Sequence, residues 1–264
     1  MSGMEGETGG ERGEIITIAT YNISDGRQAG LESAGRAFLE GGMDIVIAQE
    51  SKFKDKDHAT KSYGPYNILT AATQRTNCGG VSLFYRESKL YSLENAKIRG
   101  PNIITFDLQV GATRYYVIGC YFPPSESGAD SASSFAAVEQ LMKQTPKDSI
   151  LMVLGDLNVN LDEPRNEQEA QVAAVMDSKG LSCAMRHFRV RTRARCTLRG
   201  RWTYQRRRGR RKAGDNVRFH RTKPDYFLLP WRERRKVMRC STIMLPGHNS
   251  ALWLPNYTPG AGAA

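Results

Sequence analysis

Short apolar runs separated by Gly and Pro recur along the chain and predict an alternation of strands and helices. Strands are predicted at residues 15–21, 45–48, 81–85, 103–110, 115–121, 150–154, 226–229 and 241–245, the last strand of the chain. Helices are predicted at residues 31–39 and 167–179, with a third between Ser131 and Pro146. Strand pairs are mixed with helices and no long βαβ alternation is present. The pattern therefore favours sheets packed together and covered by helices over a parallel Rossmann sheet.

Polar residues follow several of these apolar runs at the point where each strand is predicted to end. They are Asn22, Glu50, Tyr121, Asp156 with Asn158, Asp225 just before residues 226–229, and His248. Gly155 and Asp156 directly follow the run at residues 150–154. This motif fits either a turn that uses Asp and Asn for local backbone hydrogen bonds, or an inner strand that presents an acid at a sheet edge. Taken alone, it does not decide between the two.

Taken together, these residues supply the parts needed for metal-assisted hydrolysis of a phosphate ester. Mg²⁺ prefers oxygen ligands and keeps several waters, so Glu50 and Asn22 suffice as a metal site, with Mn²⁺ as an alternative ion. A carboxylate near the metal activates the attacking water, and Asp156 is the candidate. The remaining residues are candidate donors to the phosphoryl oxygens: His248 with Asp225, Asn158 and Tyr121.

The positive charge of the chain is concentrated in one segment. The net charge is +11, and residues 186–239 contain 21 Lys and Arg against 3 Asp and Glu. Such a concentration favours a phosphate-rich polymer as partner, since phosphate contacts release counterions whatever the sequence. Trp202 and Tyr204 lie among the arginines. The alternatives are a solvated, disordered tail and a nuclear import signal.

Composition indicates one large α/β domain in a chain of 264 residues that is 40% hydrophobic. Residues 1–13 are predicted to be a disordered leader, residues 14–254 the domain with a basic segment at about 186–223, and residues 255–264 a flexible tail. No apolar stretch approaches the ~20 residues of a bilayer span, and five scattered cysteines favour a reducing compartment. A protein without a membrane partner and without secretion is expected.

A series of short motifs occurs in the order found in one known superfamily. The motifs are Thr20-Tyr21-Asn22, Gln49-Glu50, Gly79-Gly80-Val81, Tyr121-Phe122-Pro123-Pro124, Gly155-Asp156-Leu157-Asn158, Trp202-Thr203-Tyr204, Pro224-Asp225-Tyr226 and Gly247-His248. In this the chain resembles the endonuclease/exonuclease/phosphatase superfamily. It looks most like the apurinic-type endonuclease domain of non-LTR (LINE-like) retrotransposons. The resemblance implies a four-layered α/β/β/α sandwich of two face-to-face mixed sheets with outer helices.

The resemblance also implies a function and a set of site residues. It implies a Mg²⁺-dependent endonuclease that nicks double-stranded DNA in the nucleus, leaving a 3′-hydroxyl primer for a reverse transcriptase domain of the same element. Asn22 and Glu50 would hold the metal and Asp156 would position water. Asn158 and Tyr121 would bind the scissile phosphate, and Asp225 with His248 would stabilise its charge. The expected DNA contacts are Trp202, Tyr204, Arg206, Arg207, Arg208, Arg210 and Arg211.

Two positions depart from the superfamily pattern. Gly247 stands where an acid usually precedes the histidine, and Ser24 stands where repair-type relatives place an acid after Asn22. Two rival hypotheses therefore remain. One is a degenerate copy that binds DNA without cutting it, and the other is an abasic-site repair nuclease or phosphatase on the same fold.

Overall fold

The computed structural model describes residues 16–23, 28–54, 59–73, 79–123, 129–183, 203–204, 220–221, 225–230, 232–233, 237–244 and 251–257. The elements follow in chain order: β1 (Ile16–Asn22), α1 (Gln28–Glu40), β2 (Ile45–Gln49), β3 (Ala59–Tyr63), β4 (Tyr66–Thr70), β5 (Val81–Arg86), β6 (Tyr91–Gly100), β7 (Ile103–Val110), β8 (Thr113–Tyr121), α2 (Ala129–Lys143), β9 (Ile150–Asp156), α3 (Glu167–Ser178), β10 (Leu181–Cys183), β11 (Thr203–Tyr204), β12 (His220–Arg221), β13 (Asp225–Pro230), β14 (Val237–Met244) and β15 (Ala251–Tyr257).

Two mixed sheets form the body of the protein. The first has the strand order β14-β15-β1-β2-β5-β4-β3, and the second has the order β10-β13-β9-β8-β7-β6. Within them, β1 is parallel to β2 and β8 is parallel to β9, and the chain passes through α1 and α2 respectively between these pairs. A short two-stranded ladder joins β11 to β12.

Alternation along each strand separates an inner core between the sheets from two outer cores beneath the helices. The inner core holds residues such as Ile18 and Ile47 of the first sheet and Leu154 of the second. One outer core packs Phe38 of α1 against the first sheet, and the other packs Val138 of α2 against the second. The layers are therefore helix, sheet, sheet and helix, which confirms the predicted four-layered sandwich.

The predicted helices and strands are all present, with shifted ends, and several strands were missed. The strand predicted at 241–245 as the last one is β14, and β15 follows it and pairs with both β14 and β1. Pro255 lies inside β15, and a proline within an apolar run argues against a strand. The tail boundary predicted after residue 254 falls within this strand. Residues 1–13 and 258–264 lie outside the described residues.

Two polar strands also escaped prediction. β3 and β6 are edge strands with largely exposed or half-buried residues, so they lack the apolar run on which the strand predictions depend. None of the three described helices combines the length and the apolar character needed to cross a membrane.

Gly155 lies inside β9 in a backbone conformation that only glycine adopts without strain. Its φ is +150°, and a Cβ at this position would lie 1.8 Å from the carbonyl oxygen of Cys120 on β8. The register of β8 and β9 pairs Cys120 with Gly155, so the missing side chain is what lets the two parallel strands meet at their ends.

Replacing this glycine is expected to destabilise the fold. Gly155→Ala should lower the free energy of unfolding by about 3 kcal/mol or more, because a backbone overlap must be relieved by separating β8 from β9. Equilibrium urea denaturation measures the loss. Gly100→Ala is the control, since a Cβ there meets nothing within 4 Å. The explanation is wrong if the two variants lose similar stability.

Candidate active site

Strand register brings the predicted site residues to one end of the sandwich. In the second sheet, Tyr121 of β8 and Asp225 of β13 both lie opposite Asp156 of β9. In the first sheet, Asn22 of β1 lies opposite Gln49 of β2, next to Glu50. The last residues of four strands therefore meet at the same edge of the two sheets.

The side chain of Asn22 connects the two sheets directly. Its Nδ2 donates to Oε1 of Glu50 at 2.9 Å and to Oδ2 of Asp156 at 3.3 Å. The two carboxylates come from different sheets, and one amide group holds both. Three residues singled out from the sequence are thus in hydrogen-bond contact.

Asp156 is a carboxyl group buried within the end of a strand. It is 4% exposed, and its Oδ1 accepts from the backbone N–H of Asn158 at 3.1 Å. Burial raises the pKa of Asp156 to about 7, the hydrogen bonds from Asn158 and Asn22 oppose the rise, and the charge of Glu50 adds to it. The Gly155-Asp156 motif therefore fits both interpretations drawn from the sequence. Oδ1 of Asp156 makes the local hydrogen bond of a turn, and Oδ2 faces Asn22 at the edge of the sheet.

Asn158 is held beside Tyr121 by main-chain contacts. Its φ is +47°, a left-handed conformation that asparagine tolerates, and its Nδ2 donates to the carbonyl of Phe122 at 2.8 Å. The backbone N–H of Phe122 in turn donates to the carbonyl of Asp156 at 2.8 Å. The fully buried Tyr121 precedes Phe122. The two residues proposed as phosphate donors therefore lie at adjoining strand ends.

Lys52 is a site residue that the sequence reasoning missed. Its Nζ lies 3.3 Å from Oε2 of Glu50. Glu50 and Lys52 have φ values of +51° and +47°, conformations that cost energy for residues other than glycine. Such strain is concentrated at functional sites. The available signal was a lysine two residues after a strand-end carboxylate.

His248, Trp202 and the arginines Arg206, Arg207, Arg208, Arg210 and Arg211 lie outside the described residues, as do Ser24 and Gly247. Tyr204 is described as part of β11, and Asp225 is placed by its pairing with Asp156.

The donor set at the joined carboxylates fits a hard divalent cation. Among the described residues there is no group of three or more His, Cys, Asp and Glu arranged for a metal. Glu50, Asp156 and Asn22 instead offer two carboxylates and an amide, all oxygen donors of the kind that Mg²⁺ accepts together with water. Burial and the neighbouring charge of Glu50 both disfavour the ionised form of Asp156, and a bound cation would relieve both effects.

The structure is similar to known endonucleases over nearly its whole length. It matches the AP endonuclease LMAP of Leishmania major with a TM-score of 0.68 at 11% identity, over 93% of this chain and 88% of that one. It matches an AP endonuclease from Archaeoglobus fulgidus with a TM-score of 0.65 at 14% identity, over 93% and 100% of the two chains. The chain has the endonuclease/exonuclease/phosphatase fold.

A retrotransposon domain shares the same endonuclease/exonuclease/phosphatase fold. The endonuclease domain of TRAS1, a telomere-specific non-LTR retrotransposon, matches with a TM-score of 0.59 at 9% identity, over 92% of this chain and 98% of that one. No protein-family model and no curated protein sequence matches the chain. The similarity is therefore one of fold, and any assignment of function depends on the residues at the candidate site.

The buried carboxyl of Asp156 predicts a pH-dependent stability for protein kept metal-free with EDTA. Its pKa rises from 3.8 to about 7 on folding, so its stabilising effect is complete below pH 3.8 and is lost as the pH rises through 7. Asp156→Asn should remove this loss, which amounts to at most about 1.4 kcal/mol per pH unit. Urea denaturation from pH 4 to 8 measures it.

Asp177→Asn, at an exposed position on α3, is the matched control and should keep the wild-type profile. An Asp156→Asn protein whose stability falls with pH as steeply as the wild type would contradict the burial argument.

Proposed function

We propose that this protein is a Mg²⁺-dependent DNA endonuclease that hydrolyses one phosphodiester bond and leaves a 3′-hydroxyl. The observation that carries the proposal is the contact between Asn22, Glu50 and Asp156, which joins two carboxylates from different sheets at one end of the sandwich. The endonuclease/exonuclease/phosphatase fold supports it, because the similar structures include AP endonucleases and a retrotransposon endonuclease domain.

Each residue has a distinct part in the proposed reaction. Asn22 and Glu50 hold Mg²⁺, which when bound supplies positive charge to offset the charge developing on the phosphate. Asp156 accepts a proton from the attacking water, because its carboxyl group lies beside Asn22 and Glu50, the residues that would hold the metal. The water oxygen bonds to phosphorus as the bond from phosphorus to the 3′ oxygen breaks, which leaves a 5′-phosphate. The departing 3′ oxygen takes up a proton from solvent and becomes the 3′-hydroxyl.

Donors at the adjoining strand ends stabilise the phosphate as its charge changes. Asn158 holds a non-bridging oxygen, and His248 with Asp225 completes the donor set. Tyr121 is fully buried beside Asn158, so it joins the donors only when DNA binding opens a path to its phenol. Lys52 adds a positive charge beside Glu50, at an Nζ to Oε2 distance of 3.3 Å. It limits the repulsion between the carboxylates and the incoming phosphate.

The basic segment supplies the DNA-binding surface in this proposal. Residues 184–224 contain 16 Lys and Arg and a single acid. The segment follows β10, whose Cys183 pairs with Leu228, and precedes β13, whose Asp225 pairs with Asp156. Both of its flanking residues therefore lie toward the site end of the second sheet. Backbone phosphates on either side of the cut are the partners that this charge fits.

Within the segment, the proposed DNA contacts are Trp202, Tyr204, Arg206, Arg207, Arg208, Arg210 and Arg211. Such contacts position the duplex without reading its bases. We further propose that the protein acts in the nucleus for a retroelement. The 3′-hydroxyl at the nick would prime reverse transcription by a reverse transcriptase domain of the same element.

Relaxation of supercoiled plasmid tests the proposed activity. The wild type should convert supercoiled to nicked circles with Mg²⁺ and not with EDTA. Asp156→Asn and Glu50→Gln should each lower the rate by about 100-fold or more, since they remove the general base and a metal ligand. Glu139→Gln, on the surface of α2, is the control. Nicking in EDTA, or equal nicking by the two site variants and the control, would refute the proposal.

A substitution at Gly247 distinguishes the proposed active nuclease from a degenerate copy that only binds DNA. If the catalytic set is complete without an acid at this position, Gly247→Asp should change the nicking rate by less than about threefold. The degenerate copy would instead bind duplex DNA, nick it poorly, and gain at least about tenfold in rate on restoring the acid. Cleavage of a duplex that contains one abasic site tests the hypothesis of a repair nuclease. Release of phosphate from a soluble phosphate monoester tests the hypothesis of a phosphatase.

A further inference from the structure

One buried residue beside the second sheet contacts both halves of the candidate site, one through its side chain and the other through its main chain. Asn102, 9% exposed, lies in the turn between β6 and β7. Its Oδ1 accepts from the backbone N–H of Gly80 at 3.0 Å, and its main-chain carbonyl accepts from the N–H of Tyr121 at 2.9 Å. The first contact reaches across to the first sheet and the second stays within its own.

Gly79 and Gly80 are in turn hydrogen-bonded to the loop that carries Glu50. The carbonyls of Gly80 and Gly79 accept from the backbone N–H groups of Ser51 at 3.3 Å and Lys52 at 3.1 Å. Both glycines have positive φ, and a Cβ on Gly80 would lie 2.7 Å from Oγ of Ser51 and 2.9 Å from N of Lys52. Only a glycine allows this approach, so the strained loop is held by the glycine pair.

On the other side, the same hydrogen-bond chain reaches the general base. Tyr121 is followed by Phe122, whose N–H donates to the carbonyl of Asp156 and whose carbonyl accepts from Asn158. A continuous path therefore runs from the backbone next to Glu50, through Gly80 and Asn102, to Asp156. The contact of Asn22 with both carboxylates is a second crossing between the sheets.

We infer that Asn102 is a positioning residue that sets the distance and orientation of the Glu50 loop relative to Asp156 and Tyr121. The inference rests on the proposed nuclease function. Asn102 is nine-tenths buried and its side chain hydrogen-bonds to Gly80 and Ser134, so its effect falls on the alignment of the site and not on the affinity for DNA. Misplacement of catalytic groups by about 1 Å can slow a reaction by about 100-fold.

Steady-state nicking by two matched variants tests the role. Asn102→Leu keeps the branched shape of the side chain and removes the acceptor for Gly80, and it should lower kcat by about 10- to 100-fold with KM for DNA within about twofold of the wild type. Asn102→Asp keeps the acceptor and should restore kcat to within about threefold of the wild type. Ser134→Ala is the control, because it removes only the 3.5 Å contact from Nδ2 of Asn102.

Several outcomes would overturn the inference. A lowered thermal midpoint with unchanged kcat would mean that Asn102 only stabilises the fold, and a rise in KM alone would mean that it serves DNA binding. Equal loss of kcat in the Leu and Asp variants would show that the acceptor for Gly80 is not what matters. If Asn102→Leu does not fold, Asn102→Ser, whose hydroxyl is too short to reach Gly80, takes its place.

Amide hydrogen exchange separates this inference from the proposed function. The amides of Ser51, Lys52 and Gly80 should exchange faster in Asn102→Leu than in Asn102→Asp, in protein without DNA or metal. Unchanged exchange overturns the coupling even if the wild type nicks DNA. A wild type that nicks no DNA refutes the proposed function, and the exchange result then decides whether Asn102 holds the loop.

Discussion

A carboxyl group buried at the end of an inner strand is the constraint on which the site depends. Asp156 lies in β9 with parallel β8 on one side and antiparallel β13 on the other, so it cannot move into solvent without breaking two strand pairs. Removing a carboxylate from water is costly, and the cost is offset by the N–H groups of Asn22 and Asn158. The fold thereby holds a buried, hydrogen-bonded carboxyl group at the end where the two sheets meet.

Joining two sheets at this point gives the site its precision. Glu50 and Asp156 belong to different sheets, and only a fixed spacing between the sheets keeps one Asn22 amide in reach of both. The apolar core between the sheets sets that spacing along the length of the strands. Hydrogen bonds from the glycine pair and Asn102 fix it again at the strand ends. Local strain at Glu50 and Lys52 is tolerated because the surrounding contacts leave the loop no alternative.

Much of the site could be predicted from the sequence, because a buried strand is recognised by its apolar run and the next polar residue marks its end. Asn22, Glu50 and Asp156 were found in this way, and the structure brings them together. Lys52 follows Glu50 by two residues and does not mark a strand end, so this rule passed over it. The contact of Asn102 with Gly80 could not be predicted, since it joins segments that are distant in the chain. For the fold, the longer apolar strands were predictable, but the short strands β4 and β10 were not. The polar edge strands β3 and β6, and β15 with its internal Pro255, were not.

The position of β15 has a consequence for the order in which the protein can form. The last described strand lies between β14 and β1, and Tyr257 pairs with Ile16, so the edge of β1 is covered by a strand that comes much later in the chain. Until residues 251–257 emerge, the strand that ends in Asn22 has an unpaired edge. Contacts of such long sequence separation form late. A nascent chain would therefore contain Asn22, Glu50 and Asp156 before β1 could be fixed between β2 and β15.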